Sequence, residues 1–206
     1  MTAMSLIYSI YRYNKFIILL CVYSYCLCGC HTIPQSEIRA SKFLRNKGYP
    51  EYIIQALVNM DKIESRYARD LSCESSIHVR FLIAGNKYID KKILDNLISD
   101  KSDYVRSGAA QNVSINYEQS AKLMNDPTFN VISHLMINPS LTQKQLLDVY
   151  YSHNEYDRGL LLPSYARNEN CPEKIKDIIR RSNNQSAIES LQSETSRSAP
   201  KRRNSQ

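Results

Sequence analysis

The feature that most constrains this chain is a period. Residues 79–86 read VRFLIAGN, residues 105–112 read VRSGAAQN and residues 131–138 read VISHLMIN, so Asn86, Asn112 and Asn138 stand 26 residues apart. Glu74, Asp100 and Asp126 keep the same interval, as do Leu71, Leu97, Leu123 and Val149. A fixed period of this size marks stacked supersecondary units, none of which can bury its apolar face alone. A fourth segment, LPSYARN at 162–168, ends in Asn168, 30 residues after Asn138. The extra four residues are assigned to an expected loop, YYSHNEYDRG at 150–159.

Spacing within each unit predicts helix. Val79, Leu82, Ile83 and Asn86 fall at i, i+3, i+4 and i+7, on one helical face. Val105, Gly108, Ala109 and Asn112 repeat that face, as do Val131, His134, Leu135 and Asn138, which makes His134 an expected core histidine. A two-turn helix is unstable by itself and needs its neighbours. The recurring Asn falls where a helix stops, as a left-handed cap or as a side chain bonding the next turn. Asp100 and Asp126-Pro127 are expected immediately before a helix, as N-cap and first-turn residues. A second helix per unit is carried by Ile93-Leu94 with Leu97-Ile98, by Leu123-Met124, by Leu146-Leu147 with Val149-Tyr150, and by Ile175 with Ile178-Ile179. The expected fold class is all-α, a short α-solenoid of roughly 26-residue repeats.

The pattern Asp-x-x-x-x-Val-Arg, then Ala-x-Asn, a polar turn and Leu-x-x-Leu, is similar to the leucine-rich repeat variant family over residues 55–181. The resemblance implies a right-handed solenoid of alternating α- and 3₁₀-helices. The chain departs from the pattern at Ile132, where Arg80 and Arg106 have their third counterpart, and at Ser120, which aligns with Leu94 and Leu146. Some family members carry an iron–sulfur module before the repeats. Nothing after the N-terminal segment could ligate one, so no redox role and no cofactor are carried over.

Residues 1–15 contain Arg12 and Lys15 and no acid, and residues 16–28 (FIILLCVYSYCLC) are almost wholly apolar. A basic stretch, a short apolar run and a small-residue junction compose a secretory signal. As a helix the run spans roughly 20 Å, short of the ~30 Å hydrocarbon layer. Leu27-Cys28-Gly29-Cys30 resembles the lipobox of bacterial lipoproteins. That resemblance makes Leu27, Cys28 and Gly29 the signal-peptidase recognition residues and Cys30 the acylated first residue of the mature chain. His31 rather than Asp after it implies sorting to the outer membrane. Acylation by more than one chain gives stable anchoring. The expected organisation is a signal peptide at 1–29, a tether at 30–36, capping helices with a degenerate repeat at 37–73, repeats at 74–181 and a disordered basic tail at 182–206.

Candidate chemistry is sparse. Cys21, Cys26, Cys28 and Cys30 lack the paired spacing of a cluster site, and His31, His78, His134 and His153 lack zinc-site spacing, so no metal is expected. No Gly-rich phosphate loop, nucleophile elbow or convergent carboxylate pair occurs, and the chain is read as no enzyme. Cys73 and Cys171 lie nearly four units apart, too far for a disulfide, and are expected as two buried thiols. Arg80 and Arg106 recur once per unit and either receive an anionic ligand or form an internal ladder with turn aspartates. Tyr150, Tyr151 and Tyr156 crowd the expected loop, as a contact surface or as its packing.

The net charge of +7 suggests nucleic acid until it is located. Residues 1–29 hold two bases and no acid, residues 180–206 six bases and two acids, and residues 30–179 nineteen bases and eighteen acids. The body is near neutral, so nucleic acid is not the expected partner. The leading expectation is a periplasmic lipoprotein at the outer membrane, held in lipid through Cys30 and scaffolding an unidentified protein partner, in an envelope assembly by analogy. The competing expectations are a nucleic-acid-binding solenoid and a periplasmic enzyme or inhibitor using the tyrosines.

Overall fold

A computed structural model describes residues 33–198, with side chains for residues 35–194. The expected signal peptide, Leu27, Cys28, Gly29 and Cys30 lie outside the described residues. The described chain is all-helical, with twelve α-helices and no strand. They are α1 (Ile33–Asn46), α2 (Glu51–Val58), α3 (Ser65–Ser72), α4 (Ile77–Gly85), α5 (Lys91–Ile98) and α6 (Asp103–Ala110). Then follow α7 (Tyr117–Met124), α8 (Phe129–Ile137), α9 (Gln143–Ser152), α10 (Glu155–Ala166), α11 (Glu173–Arg181) and α12 (Gln185–Ser198).

Helices α1, α4, α6, α8, α10 and α12 pack one on the next in a row. Helices α3, α5 and α7 pack in succession beside them, each also touching the row helix that follows it. The apolar stripes read from the sequence face this contact: Val79, Leu82, Ile83, Val105, Ala109, Val131 and Leu135 are buried. Between α4 and α6 the approach is too close for a side chain, because a Cβ on Gly108 would lie 2.6 Å from the Phe81 carbonyl oxygen. Only glycine fits there.

The recurring asparagines are buried and bond from unit to unit. Asn112 donates both amide hydrogens, to Ala84 O at 2.8 Å and Asn86 O at 2.9 Å. Asn138 does the same to Ala110 O and Asn112 O, and Asn168 to Met136 O and Asn138 O. Asn86 begins the series on Asp61 O. Each Oδ1 accepts the amide two residues on, from Tyr88, Ser114, Ser140 and Asn170. The carbonyls of Ala84, Ala110 and Met136 belong to helix ends, where no amide of the same helix remains for them. Asn86 and Asn138 have extended backbones, so they act through the side chain rather than as left-handed caps.

A second series lies on α7 and α9. Asn116 with Gln119, and Thr142 with Gln145, form reciprocal N-terminal caps. The remaining amide hydrogens reach the preceding helix of the same series: Gln119 Nε2 donates to Asp95 Oδ1 and Gln145 Nε2 to Ser120 Oγ, each at 2.8 Å. Ser120 replaces an apolar residue because its hydroxyl receives that bond.

The structure corrects several expectations. No 3₁₀ segment occurs among the described residues, because both helices of each unit close α-helical turns. The expected loop at 150–159 is mostly helix, with only His153 and Asn154 between α9 and α10, so the extra residues lengthen helices instead. His134 is half-exposed, with Nδ1 on Asn130 O, while Ile132 and Met136 are buried, so the stripe of α8 is rotated. Asp100 and Asp126 stand two residues ahead of the N-caps Ser102 and Thr128 and accept their amides. The expected tether is shortened, since α1 starts at Ile33 and Ser36 is buried. The expected disordered tail is helical to Ser198, since Ala187, Ile188 and Leu191 give it an apolar stripe that its average composition conceals.

That last helix is docked by a specific bond. Pro163 lies inside α10 and has no amide to offer the carbonyl four residues back, that of Gly159. Asn184 Nδ2 donates to this Gly159 carbonyl at 3.0 Å, while Asn184 Oδ1 accepts the Ala187 amide at the start of α12.

Two substitutions test the framework. Asn112→Asp keeps the size but places carboxylate oxygens against carbonyl oxygens. It should destabilise by about 3 kcal/mol in urea unfolding, at least as much as Asn112→Ala. Asn184→Ala should speed amide hydrogen exchange through α12 by about tenfold or more and leave α4 and α6 unchanged.

Candidate functional site

Arg80 and Arg106 occupy equivalent places and make equivalent clamps. Arg80 is 7% exposed; it donates to Asp100 through Nε at 2.7 Å and Nη2 at 3.1 Å. Its Nη1 reaches back to Glu74 O at 2.7 Å. Arg106 meets Asp126 at 2.6 and 3.0 Å, and its Nη1 reaches Asp100 O at 2.9 Å. Each guanidinium therefore joins the turn before its own helix to the turn before the next row helix. Planar bidentate pairing of this kind suits Arg and not Lys. Ile132 is buried at the third position, and the clamp series stops there.

Burial opposes ionisation of Asp100, but the Arg80 guanidinium and the Ser102 amide outweigh it and hold the carboxyl below its ordinary value. Asp126 is likewise desolvated and likewise held low by Arg106 and the Thr128 amide. With both arginines engaged on all sides, the structure uses them as internal ties.

The tyrosines separate. Tyr150 is buried edge-on against Tyr165, whose hydroxyl donates to Leu146 O. Tyr151 and Tyr156 are exposed. Lys174 Nζ sits 5.1 Å from the Tyr151 ring centre, and the Arg158 guanidinium 5.4 Å from that of Tyr150. Tyr150 is thus core, while Tyr151 and Tyr156 belong to the outer surface around α9, α10 and α11.

Both described cysteines are free, but not as expected: Cys171 is buried and Cys73 exposed. Cys73 follows the last turn of α3, which leaves it outside the packed face. Burial pushes the Cys171 thiol up to about 11. Among the described residues no group of three or more His, Cys, Asp or Glu is placed to hold a metal ion. No described helix is long and apolar enough to cross a membrane.

Sequence reasoning missed a cluster where α1, α4 and α6 meet. Ser36 and Tyr104 share a hydroxyl hydrogen bond, Tyr104 stacks on Phe81 at 4.4 Å, and His78 lies edge-on to Tyr104. Burial, then the nearby Arg39, lowers the His78 pKa. The available signal was glycine within helices: Gly108 takes the stripe position that Leu82 and His134 hold in the neighbouring segments, and Gly85 lies just off the stripe, so a close backbone approach replaces side-chain packing at this junction. The chain matches no protein-family model, no curated protein and no solved structure.

The clamps give a pH dependence with a fixed sign. Because the Asp126 carboxyl is held below its ordinary value, its stabilisation is present above about pH 4 and lost as the pH falls through the lowered value. Asp126→Asn should cost about 3 kcal/mol at pH 7, and the gap to the parent chain should narrow in urea melts as the pH falls below about 4.

Proposed function

We propose that this chain is a non-catalytic helical-repeat scaffold, an α-solenoid whose helix rows present a surface to a protein partner. The observation that carries this reading is the asparagine series. One side chain per unit joins successive units through the same two bonds, which is how a quasi-one-dimensional stack is built. The resemblance to the leucine-rich repeat variant family supplies the right-handed sense. It extends to the sequence motif and its period, while the paired α-helices are this chain's own variation.

Two further features favour a scaffold. The recurring arginines are committed to carboxylates, which removes the regular basic face that a nucleic-acid-binding solenoid needs. Among the described residues the outermost helices of the row expose polar side chains, Gln35 and Arg39 on α1 and Gln185 and Glu189 on α12, with Ile38 of α1 as an exposed apolar exception, which suits capping units.

The N-terminal sequence supports an envelope location for this scaffold. Leu27-Cys28-Gly29 directs cleavage, and acylated Cys30 holds the chain on the periplasmic face of a bacterial outer membrane. The distance from Cys30 to α1 is then only a few residues, so the scaffold sits close to the lipid surface. Expression in a bacterial host with labelled palmitate tests this. The parent chain should incorporate label and fractionate with membranes, whereas Cys30→Ala should lose the label and the intact-mass increment of the acyl groups. Equal mass and equal membrane retention in the two chains would reject the anchor.

A further inference from the structure

A small cavity of about 160 Å³ opens where α1, α4 and α6 meet, lined by Glu37, Met60, Phe81, Leu82, Gly85, Gly108 and Gln111. Its walls are methylene, aromatic ring and bare glycine backbone, and Glu37 is its one charged residue. Glu37 is half-buried and makes no hydrogen bond or ion pair among the described residues. Burial alone pushes its carboxyl above the usual range. A carboxylate left half-desolvated at the mouth of an apolar cavity is unfavourable unless a cation completes it.

The floor of the cavity is held open by backbone. Gly85 and Gly108 lie beneath it, with the Gly108 carbonyl 3.6 Å from where a Gly85 Cβ would be. Met60 has φ of 57°, a left-handed conformation that non-glycine residues rarely adopt, and its methyl is 3.0 Å from that same Cβ position. Strain of this sort persists where the surroundings dictate it and clusters at ligand clamps.

The shape and charge suit one long basic side chain, its stem on Phe81 and the glycines and its head at Glu37 and Gln111. The chain itself supplies such side chains. Beyond α12 the sequence runs Ala-Pro-Lys-Arg-Arg-Asn-Ser-Gln, with Lys201, Arg202 and Arg203 and no acid. The five residues from Ser198 to Arg203 span at most about 17 Å. From α12 to α6 the row steps across α10 and α8, three spacings of about 8–10 Å each. The cavity lies on the α4 side of α6, lined by Phe81, Leu82 and Gly85, a further part-spacing away, so even with about 6–7 Å of Lys or Arg side chain added the basic segment falls short of the cavity of its own chain. We propose that the cavity over Gly85 and Gly108 receives a Lys or Arg side chain of residues 201–203 from a second copy, completing Glu37. The contact is heterologous, one copy's tail to the next copy's cavity, so association grows with concentration rather than stopping by symmetry.

The test uses the full chain in detergent and a labelled peptide of residues 197–206 as probe, read by fluorescence anisotropy, with sedimentation following self-association. The parent chain should bind the peptide, and Glu37→Gln should weaken it by about tenfold or more. Gly85→Leu fills the cavity but keeps the carboxylate, and should weaken binding as much. A chain with Lys201, Arg202 and Arg203 all changed to Gln should lose concentration-dependent association while still binding the parent peptide. Thermal melts show that each variant is folded, and Glu37→Lys should bind a peptide carrying Glu at 201–203 that the parent chain rejects. No peptide binding up to about 1 mM, or equal binding by the parent, Glu37→Gln and Gly85→Leu chains, would overturn the proposal. So would an intact cavity that binds the peptide in a chain showing no self-association at any concentration.

Discussion

Everything else in this structure depends on two N–H donors of one asparagine reaching two carbonyls of the unit before. The carbonyls of Ala84 and Asn86 lie at the end of one helix and in the turn that follows, where the helix cannot satisfy them. Leaving either buried and unpaired costs about 1–3 kcal/mol, whereas a made bond contributes about 1 kcal/mol net. Apolar burial contributes more, at about 2 kcal/mol for each fully buried Leu or Ile. The asparagine is therefore less a source of stability than a condition on it. Apolar side chains tolerate sliding and rotation, but the amide and its two carbonyls fit at one offset only. The stripes of α4, α6, α8 and α10 draw those helices together, and Asn112, Asn138 and Asn168 decide the register.

Three polar sets share that register and divide the work. The asparagines fix the ends of the row helices, and Gln119 and Gln145 tie α7 to α5 and α9 to α7. The Arg80 and Arg106 clamps join turns that precede the row helices. Each set uses a side chain with several hydrogens in fixed directions, so one residue satisfies its own turn and its neighbour at once. Where a set lapses, the local chemistry changes with it. Ile132 replaces the third clamp with apolar burial, and Ser133 meets Ser164 across α8 and α10 instead. The ties are thus denser toward α4 and α6, the same region where glycine permits the closest helix approach.

The sequence carried the period, the all-helical class and most of the buried stripe, because stacking forces the same residue types into the same places. It carried the Arg ladder for the same reason. What it concealed was local and single. His134 keeps the spacing of the stripe yet points away, since Ile132 and Met136 outcompete it for the core. Tyr150, Tyr151 and Tyr156 read as one cluster in a loop, but helix continues on both sides of His153-Asn154 and sends Tyr150 inward. Glu37 has no period and no motif around it. Its place at the cavity arises only from α1 folding across Gly85 and Gly108, which lie 48 and 71 residues further along the chain, a contact that no local pattern announces.

The segment after residue 181 shows how a weak sequence signal becomes structure. Ala187, Ile188 and Leu191 bury too little to hold a helix in place unaided, since short helices nucleate poorly in water. Pro163 supplies the missing condition by leaving the Gly159 carbonyl free on α10, within reach of the Asn184 amide. The same asparagine caps the first turn of α12 with its oxygen, so one side chain both starts the helix and docks it. The arrangement repeats the logic of Asn86, Asn112, Asn138 and Asn168 with the roles shifted: a side-chain amide from one segment satisfies a carbonyl stranded in another. A proline that elsewhere would weaken a helix here creates the acceptor that fixes the end of the row. The polar outer face of α12 then closes the apolar edge that α10 would otherwise expose.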